Sequence, residues 1–400
     1  MALCLDPRSP AAAGSRLPFH DVLVQYGPAY LKQFGDAMPA RQYEVLHKLL
    51  ACRTEAMGGS LYYCAHCAKH HYTYHSCNDR HCPQCGQAQT EEWLERQQQR
   101  LLLPVPYFLV TFTLPEPVQR WMRSHPKVGY DVLFAASAKA LQDLAQNPKR
   151  LGASLGMLGV LHTWSRTLTY HPHVHYLVPG GGLSLDQRTW VASRPKFLLP
   201  VKALSDHFRT CFKKGLAKQA PDALQRLPAH VWRQRWVVHS QAAGSGEAVL
   251  GYLSRYVFKT ATGDRPVSQL ADGSIRWPYR ESQTAQSKHV DLEPCELIRR
   301  FLQHVLPRGY TRVRSFGWFH PAGKKKLNRV RALLDLKPLL TAAELAAWQP
   351  PEGLVEPAVV EASPTKPAPV RQCPRCGQPL QWVASWLPGQ KPPRPDRPDP

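Results

Sequence analysis

The sequence predicts an α+β protein in which a small zinc-binding domain precedes a domain of intermixed strands and helices. Two observations carry that fold class. Strand-like and helix-like segments follow one another between residues 106 and 306 without a regular βα repeat. Paired cysteines crowd residues 60–86, where apolar periodicity is weak. With 400 residues and 43% hydrophobic side chains, the chain suits two or three domains and is not disordered throughout.

The elements read in order as follows. Residues 1–18 are rich in Pro, Ala and Ser and form a flexible N-terminus. Residues 19–103 make a helical, zinc-binding and DNA-binding domain. It begins with helical spacing in YLKQF and RQYEVLHKLLACR, and ends on the polar helix TEEWLERQQQRLLL, stopped by Pro104. Residues 104–335 form the central domain. There, PYFLVTFTLP (106–115) is β-branched and aromatic with turn residues at both ends, so it reads as a strand. An Ala/Leu-rich helix follows over 130–146, then the strands GMLGVLHTW and HVHYLVPGGG, then helices over 247–261 and 295–306. Residues 336–400 are a linker and tail, since 14 of the 38 prolines fall within 350–400.

The charge narrows the function. Fifty-one Lys and Arg against 29 Asp and Glu give +22 at pH 7, the mark of a surface that binds a polyanion. No stretch is long and apolar enough to span a bilayer, and the N-terminus lacks a signal-peptide pattern. The expected compartment is a reducing cytoplasm, where the 11 cysteines serve as metal ligands or free thiols.

Cys64-x2-Cys67 and Cys82-x2-Cys85 are two knuckles that together can close a tetrahedral zinc site. Cys77, His66, His75 and His81 are near enough to substitute or to form a second site. A further pair, Cys373-x2-Cys376, has no partner pair nearby. It is either half a ribbon completed by another chain or a simple turn.

His171-Pro-His173-Val-His175 puts histidines of one parity on one strand, so His173 and His175 face the same side and can share a cation. Pro172 marks the start or edge of that strand. His162, on the preceding strand, is a candidate further ligand. Tyr252 and Tyr256 lie one helical turn apart with Arg255 and Lys259 beside them. Spacing alone favours an ordinary half-buried aromatic stripe for that pair. Between residues 296 and 331, ten basic residues (Arg299, Arg300, Arg308, Arg312, Arg314, Lys324, Lys325, Lys326, Arg329 and Arg331) stand against one acid, Glu296. Tyr310, Phe316, Trp318 and Phe319 interleave with them. This combination suits single-stranded nucleic acid, with arginines along the backbone and aromatics under unpaired bases.

Together these segments resemble the two-tyrosine HUH transposases of rolling-circle insertion sequences, which carry an N-terminal zinc-binding domain. The resemblance covers about residues 20–335 and rests on CRTEAMGGSLYYCAHC, YHSCNDRHCPQCG, VPYFLVTFTLP, LHTWSRTLTYHPHVHYLVPGGGLS, YLSRYVFKTA and RRFLQHVLPRGYTRVRSFGWF. It implies an antiparallel-sheet HUH endonuclease domain with helices on one face, and a catalytic Mg²⁺ or Mn²⁺ on His173 and His175. It also implies Tyr252 and Tyr256 as nucleophiles that leave a 5′-phosphotyrosine link. The family's third ligand position falls on Arg166, which cannot bind a cation, so His162, His171 or a residue of the tyrosine helix would serve. The partners implied are single-stranded element ends with hairpins, target DNA and host replication proteins, in a nucleoid-associated cytoplasmic setting. Two other readings compete: a plasmid replication initiator or relaxase with the same chemistry, and a non-catalytic zinc DNA-binding protein.

Overall fold

The computed structural model describes residues 16–85, 101, 103–244, 266–281, 284–339 and 371–394. The chain opens with a short strand β1 (Arg16–Pro18) and two helices, α1 (Phe19–Phe34) and α2 (Ala40–Ala51). A hairpin of β2 (Gly59–Cys64) and β3 (Lys69–Tyr74) follows. Next come β4 (Tyr107–Thr113), α3 (Glu116–Ser124), α4 (Pro126–Gln146), the short β5 (Ala153–Ser154), β6 (Gly156–Trp164) and β7 (Tyr170–Pro179). After β8 (Gly181–Ser184) and β9 (Trp190–Ala192) run α5 (Val201–Gln219), α6 (Pro221–Arg226) and β10 (Val238–Gly244). The remainder comprises β11 (Pro266–Gln269), β12 (Ile275–Arg280), β13 (Ser287–Leu292), α7 (Pro294–Leu302), β14 (Val313–Gly317), α8 (Lys324–Leu333) and β15 (Gln381–Trp386).

The central sheet has the order β10-β4-β7-β6-β14, with every neighbouring pair antiparallel. Strand alternation decides what each face does. On one face, Phe108, Val110 and Phe112 of β4 and Val174, Tyr176 and Val178 of β7 pack with Leu133, Phe134 and Leu141 of α4 and Phe208, Phe212 and Leu216 of α5. The other face is divided. Tyr107, Leu158, Val160 and Leu177 are covered by Trp318, Phe319, and Leu327 and Val330 of α8, while the histidines occupy the remaining end. The expectation of helices on one face alone is thus corrected: α8 closes half of the second face because Leu327 and Val330 sit one turn apart on its apolar side. The antiparallel, mixed architecture itself is as expected.

A second core joins parts of the chain that are far apart in sequence. Phe19, Val22, Leu23, Leu46 and Leu49 of α1 and α2 pack with Val267, Ile275 and Trp277 and with Leu297, Ile298 and Phe301 of α7. Phe19 lies 5.1 Å, centroid to centroid, from Phe301. The helical pair read with the zinc-binding segment therefore shares its interior with residues 266–302. The third unit is a small sheet of order β15-β2-β3, in which the C-terminal segment returns to the edge of the N-terminal hairpin. Among the described residues, no helix is long and apolar enough to cross a membrane.

Candidate functional site

His173 and His175 leave the same face of β7, and His162 of β6 stands directly opposite His173. Ligand atoms of the three imidazoles lie within 4.8 Å of one another. The ring centroids are 4.5 Å apart for His162–His175, 4.8 Å for His173–His175 and 5.3 Å for His162–His173. Trp164 stacks on His162 at 5.0 Å with an interplanar angle of 18°. Pro172 lies within β7, not at its start. Its missing N–H costs little there, because pairing with β4 stops at His173 and the register with β6 shifts between His162 and Trp164.

The surroundings prepare these rings as neutral donors. Burial pushes His173 down to about 4. Burial, reinforced by neighbouring imidazoles, holds His162 and His175 well below the usual histidine value. Nδ1 of His173 lies 2.7 Å from the carbonyl oxygen of His171, which can only accept, so Nδ1 carries the proton and Nε2 keeps its lone pair. Nδ1 of His175 is 2.8 Å from Oγ1 of Thr111, its direct neighbour across β4. Three neutral imidazoles converging on one point fit a divalent transition metal, and without a carboxylate among them they suit Mn²⁺ better than Mg²⁺. His171 contributes its carbonyl and not its ring to this arrangement. Arg166 hydrogen-bonds the carbonyl of Arg280 and is no ligand. At the same end of the sheet a cleft of ≈ 390 Å³ is lined by residues that include Leu114, Glu116, Gln234, Arg235 and Val237. Tyr252 and Tyr256 lie outside the described residues.

The cysteines assemble differently from the single site read from Cys64, Cys67, Cys82 and Cys85. Two four-thiol clusters replace it: Cys52, Cys77, Cys82 and Cys85, and Cys64, Cys67, Cys373 and Cys376. In the first, sulfur separations are 3.5 Å for Cys52–Cys85, 3.6 Å for Cys82–Cys52 and 3.7 Å for Cys77–Cys85. Thiolates bound tetrahedrally to Zn²⁺ at about 2.3 Å stand about 3.8 Å apart, so these four fit the ion. Thiols this crowded resist losing further protons to water: the hydrogen bond to Cys52 pushes Cys77 up to about 12, and a dication relieves that repulsion. The first cluster fixes the end of α2 to the loop after β3 and is a structural zinc site.

The physical reason for the correction is the hairpin. β2 and β3 carry Cys64 and Cys67 to its turn, whereas Cys77, Cys82 and Cys85 follow its far end, beside Cys52. Cys77, a candidate substitute, is a full member. Sequence reasoning missed Cys52, which opens the CRTEAMGGSLYYCAHC segment but stands without an x2 partner. His66 and His75 belong to neither cluster. His81 is not a ligand: its Nδ1 bonds Asp79 at 2.8 Å and its Nε2 accepts from the Leu306 amide at 3.1 Å. It ties the zinc module to the central domain.

The basic segment also divides. Tyr310, Trp318 and Phe319 are buried, so they pack the interior and are not available to stack on bases. Arg312 is 8% exposed and lies over the Trp164 ring at 5.3 Å. Arg314 pairs with Asp131 at 2.6 Å, and Arg299 and Arg300 share Glu296. Arg308 meets Glu44 at 2.9 Å with 80% of its side chain exposed. Lys325 and Lys326 are exposed and Lys324 is half-buried.

Comparison with known proteins gives two family matches. The family described as "Putative transposase" matches residues 156–326, and that described as "Transposase zinc-binding domain" matches residues 22–114. "Putative transposase y4qJ" of Sinorhizobium fredii (strain NBRC 101917 / NGR234) is 35% identical over 335 residues, covering 79% of this chain and 84% of its own. "Transposase for insertion sequence element IS801" of Pseudomonas savastanoi pv. phaseolicola is 28% identical over 302 residues, covering 69% and 70%. No solved structure matches.

Proposed function

The chain belongs to the family of insertion-sequence transposases with an N-terminal transposase zinc-binding domain, and on that premise we propose that it nicks and rejoins single-stranded DNA through a tyrosine-linked intermediate. The observation that carries this reading is the convergence of His162, His173 and His175 on one point of the central sheet. His162, His173 and His175 would hold a Mn²⁺ or Mg²⁺ ion there, which when bound would supply positive charge beside a scissile phosphate. His162 takes the place of the third ligand that Arg166 cannot fill.

Tyr252 and Tyr256 are the proposed nucleophiles. Attack by one phenolic oxygen on phosphorus forms the P–O(Tyr) bond and breaks the P–O3′ bond. The phenol proton is released, and the departing oxygen takes one up to become a 3′-OH. The phosphodiester count is conserved, so a later 3′-OH can displace the tyrosine without nucleotide hydrolysis. Two tyrosines allow one strand end to be held while a second is cut. The substrates would be single-stranded, hairpin-bearing element ends and the target DNA, with host replication proteins supplying the displaced strand in the nucleoid. Exposed Lys325, Lys326 and Arg308 are the strongest remaining candidates for phosphate contact.

The test is incubation of the protein with 5′- and 3′-labelled single-stranded element ends and Mn²⁺ or Mg²⁺, followed by denaturing gel electrophoresis. A metal-dependent covalent adduct that carries the 3′ label, with the 5′-labelled fragment released bearing a 3′-OH, is expected, and it should be absent from the Tyr252→Phe/Tyr256→Phe double variant. Retarded DNA without an adduct under either metal would overturn the reading in favour of a zinc-dependent binding protein.

A further inference from the structure

Cys373 and Cys376 lie outside the spans matched by either family, yet the fold brings them to the N-terminal hairpin. We propose that Cys64, Cys67, Cys373 and Cys376 form a second structural Zn²⁺ site, a clip that fastens the C-terminal segment onto the zinc-binding module.

Four observations carry the site. First, the four sulfurs lie within 4.8 Å of one another, and Cys64 Sγ stands 3.6 Å from Cys376 Sγ, close to the tetrahedral spacing found in the first cluster. Second, all four are free thiols, and 3.6 Å is far beyond the ~2.05 Å of a disulfide. Third, the two knuckles share a backbone design. Each Cys-x2-Cys turn is followed at once by a residue with positive φ, Ala68 at 48° and Gly377 at 74°. The second turn is closed by the Gly377 amide on the Cys373 carbonyl at 2.8 Å. Fourth, Nε2 of His71 lies 3.4 Å from Cys373 Sγ, so an N–H donor is placed to support a thiolate from outside the cluster.

The rest of the segment is fitted to receive the metal and does not merely lie nearby. β15 pairs antiparallel with β2 from Gln381↔Tyr63 to Trp386↔Gly59. Ser60 and Ser385 hydroxyls meet at 2.8 Å, and the Tyr72 hydroxyl donates to the Pro393 carbonyl at 2.9 Å. Trp386 is 3% exposed and is met edge-on by Tyr72 and Tyr74. Gly59 leaves room for it: a Cβ there would fall 2.6 Å from the Trp386 ring. The pair that looked like half a ribbon is completed within the same chain.

The test reads metal and thiols, independently of DNA cleavage. Zinc content of the full chain would be measured by emission spectroscopy for the wild type and for Cys373→Ser/Cys376→Ser, with Cys52→Ser as the comparison. The double variant should lose one zinc per chain, and the comparison variant should lose the zinc of the other cluster. Since a variant can fail to fold, the wild type is also alkylated natively and mapped by mass spectrometry. Cys373 and Cys376 should resist the reagent until a strong chelator is added, together with Cys64 and Cys67. An unchanged zinc count in the double variant, or free alkylation of Cys373 and Cys376 in the zinc-loaded wild type, would overturn the clip.

Discussion

Replacing Thr111 with valine tests the proposed metal centre without touching any of its three candidate ligands. The hydroxyl lies 2.8 Å from Nδ1 of His175 on the adjacent strand, and valine keeps nearly the same volume while removing that partner. Two effects follow. Loss of the bond costs the fold about 1 kcal/mol, since Nδ1 is left in a half-buried site. The larger effect falls on the ion: removing a partner that orients a ligating imidazole costs about 10–100-fold in metal affinity, roughly 1.4–2.7 kcal/mol. Adduct formation on a single-stranded element end would be titrated with Mn²⁺, and free Mn²⁺ followed by electron paramagnetic resonance. The midpoint should move up by that factor while the plateau recovers at high metal. Thr113→Val is the matched control, because His173, opposite Thr113, is oriented by the His171 carbonyl. An unchanged midpoint for Thr111→Val, or an equal shift for Thr113→Val, would refute the assignment of Thr111 as the group that orients His175.

Three further outcomes follow. Gly156→Ala would place a Cβ 2.4 Å from the Trp318 ring, whose indole N–H is fixed to the Ser154 carbonyl at 2.9 Å. Overpacking of this kind costs about 1–3 kcal/mol, and a thermal melt should show a fall of several degrees. Glu296 is held at about 2, first by the Arg299 hydrogen bond and then by Arg300. A lowered carboxylate stabilises above its unfolded value of 4.5 and loses that contribution as pH falls towards 2. Partial exposure discounts it to about 1 kcal/mol, so Glu296→Gln should be less stable at pH 7 and should flatten the acid side of the unfolding curve between 4.5 and 2. Lys325→Ala and Lys326→Ala should each lower the salt slope of DNA binding by about one phosphate. Arg312→Ala should instead lower thermal stability, and an equal loss of salt slope in Arg312→Ala would contradict its burial.

The strands of the central sheet were legible because β-branched and aromatic residues fill β4, β6 and β7 between turn residues. The convergence of His173 and His175 was legible because strand parity is a local rule. His162 could be named only as a candidate, since its place opposite His173 depends on the pairing of β6 with β7, which no local pattern encodes. The cysteines mark the same boundary. Spacing identified knuckles correctly, but which knuckle meets which is decided by the β2–β3 hairpin and by a strand from the far end of the chain. Cys52 gave no signal because its partners lie beyond that hairpin. The basic stretch was legible only in part, for a different reason. Composition counts charges and rings without saying which way they point, and Tyr310, Trp318, Phe319 and Arg312 point inward.

The return of β15 to β2 also sets a timetable for synthesis. Cys64 and Cys376 are separated by 312 residues, and at about 5–20 residues per second the ribosome needs roughly 15–60 s to deliver the second after the first. For that interval β2 is an open sheet edge, with its outward N–H and C=O groups available to any extended segment. A chain that terminates before residue 371 never leaves that state. Completion of the N-terminal module thus waits until residues 371–386 have been made, so a nascent or prematurely ended chain lacks the finished β15-β2-β3 sheet.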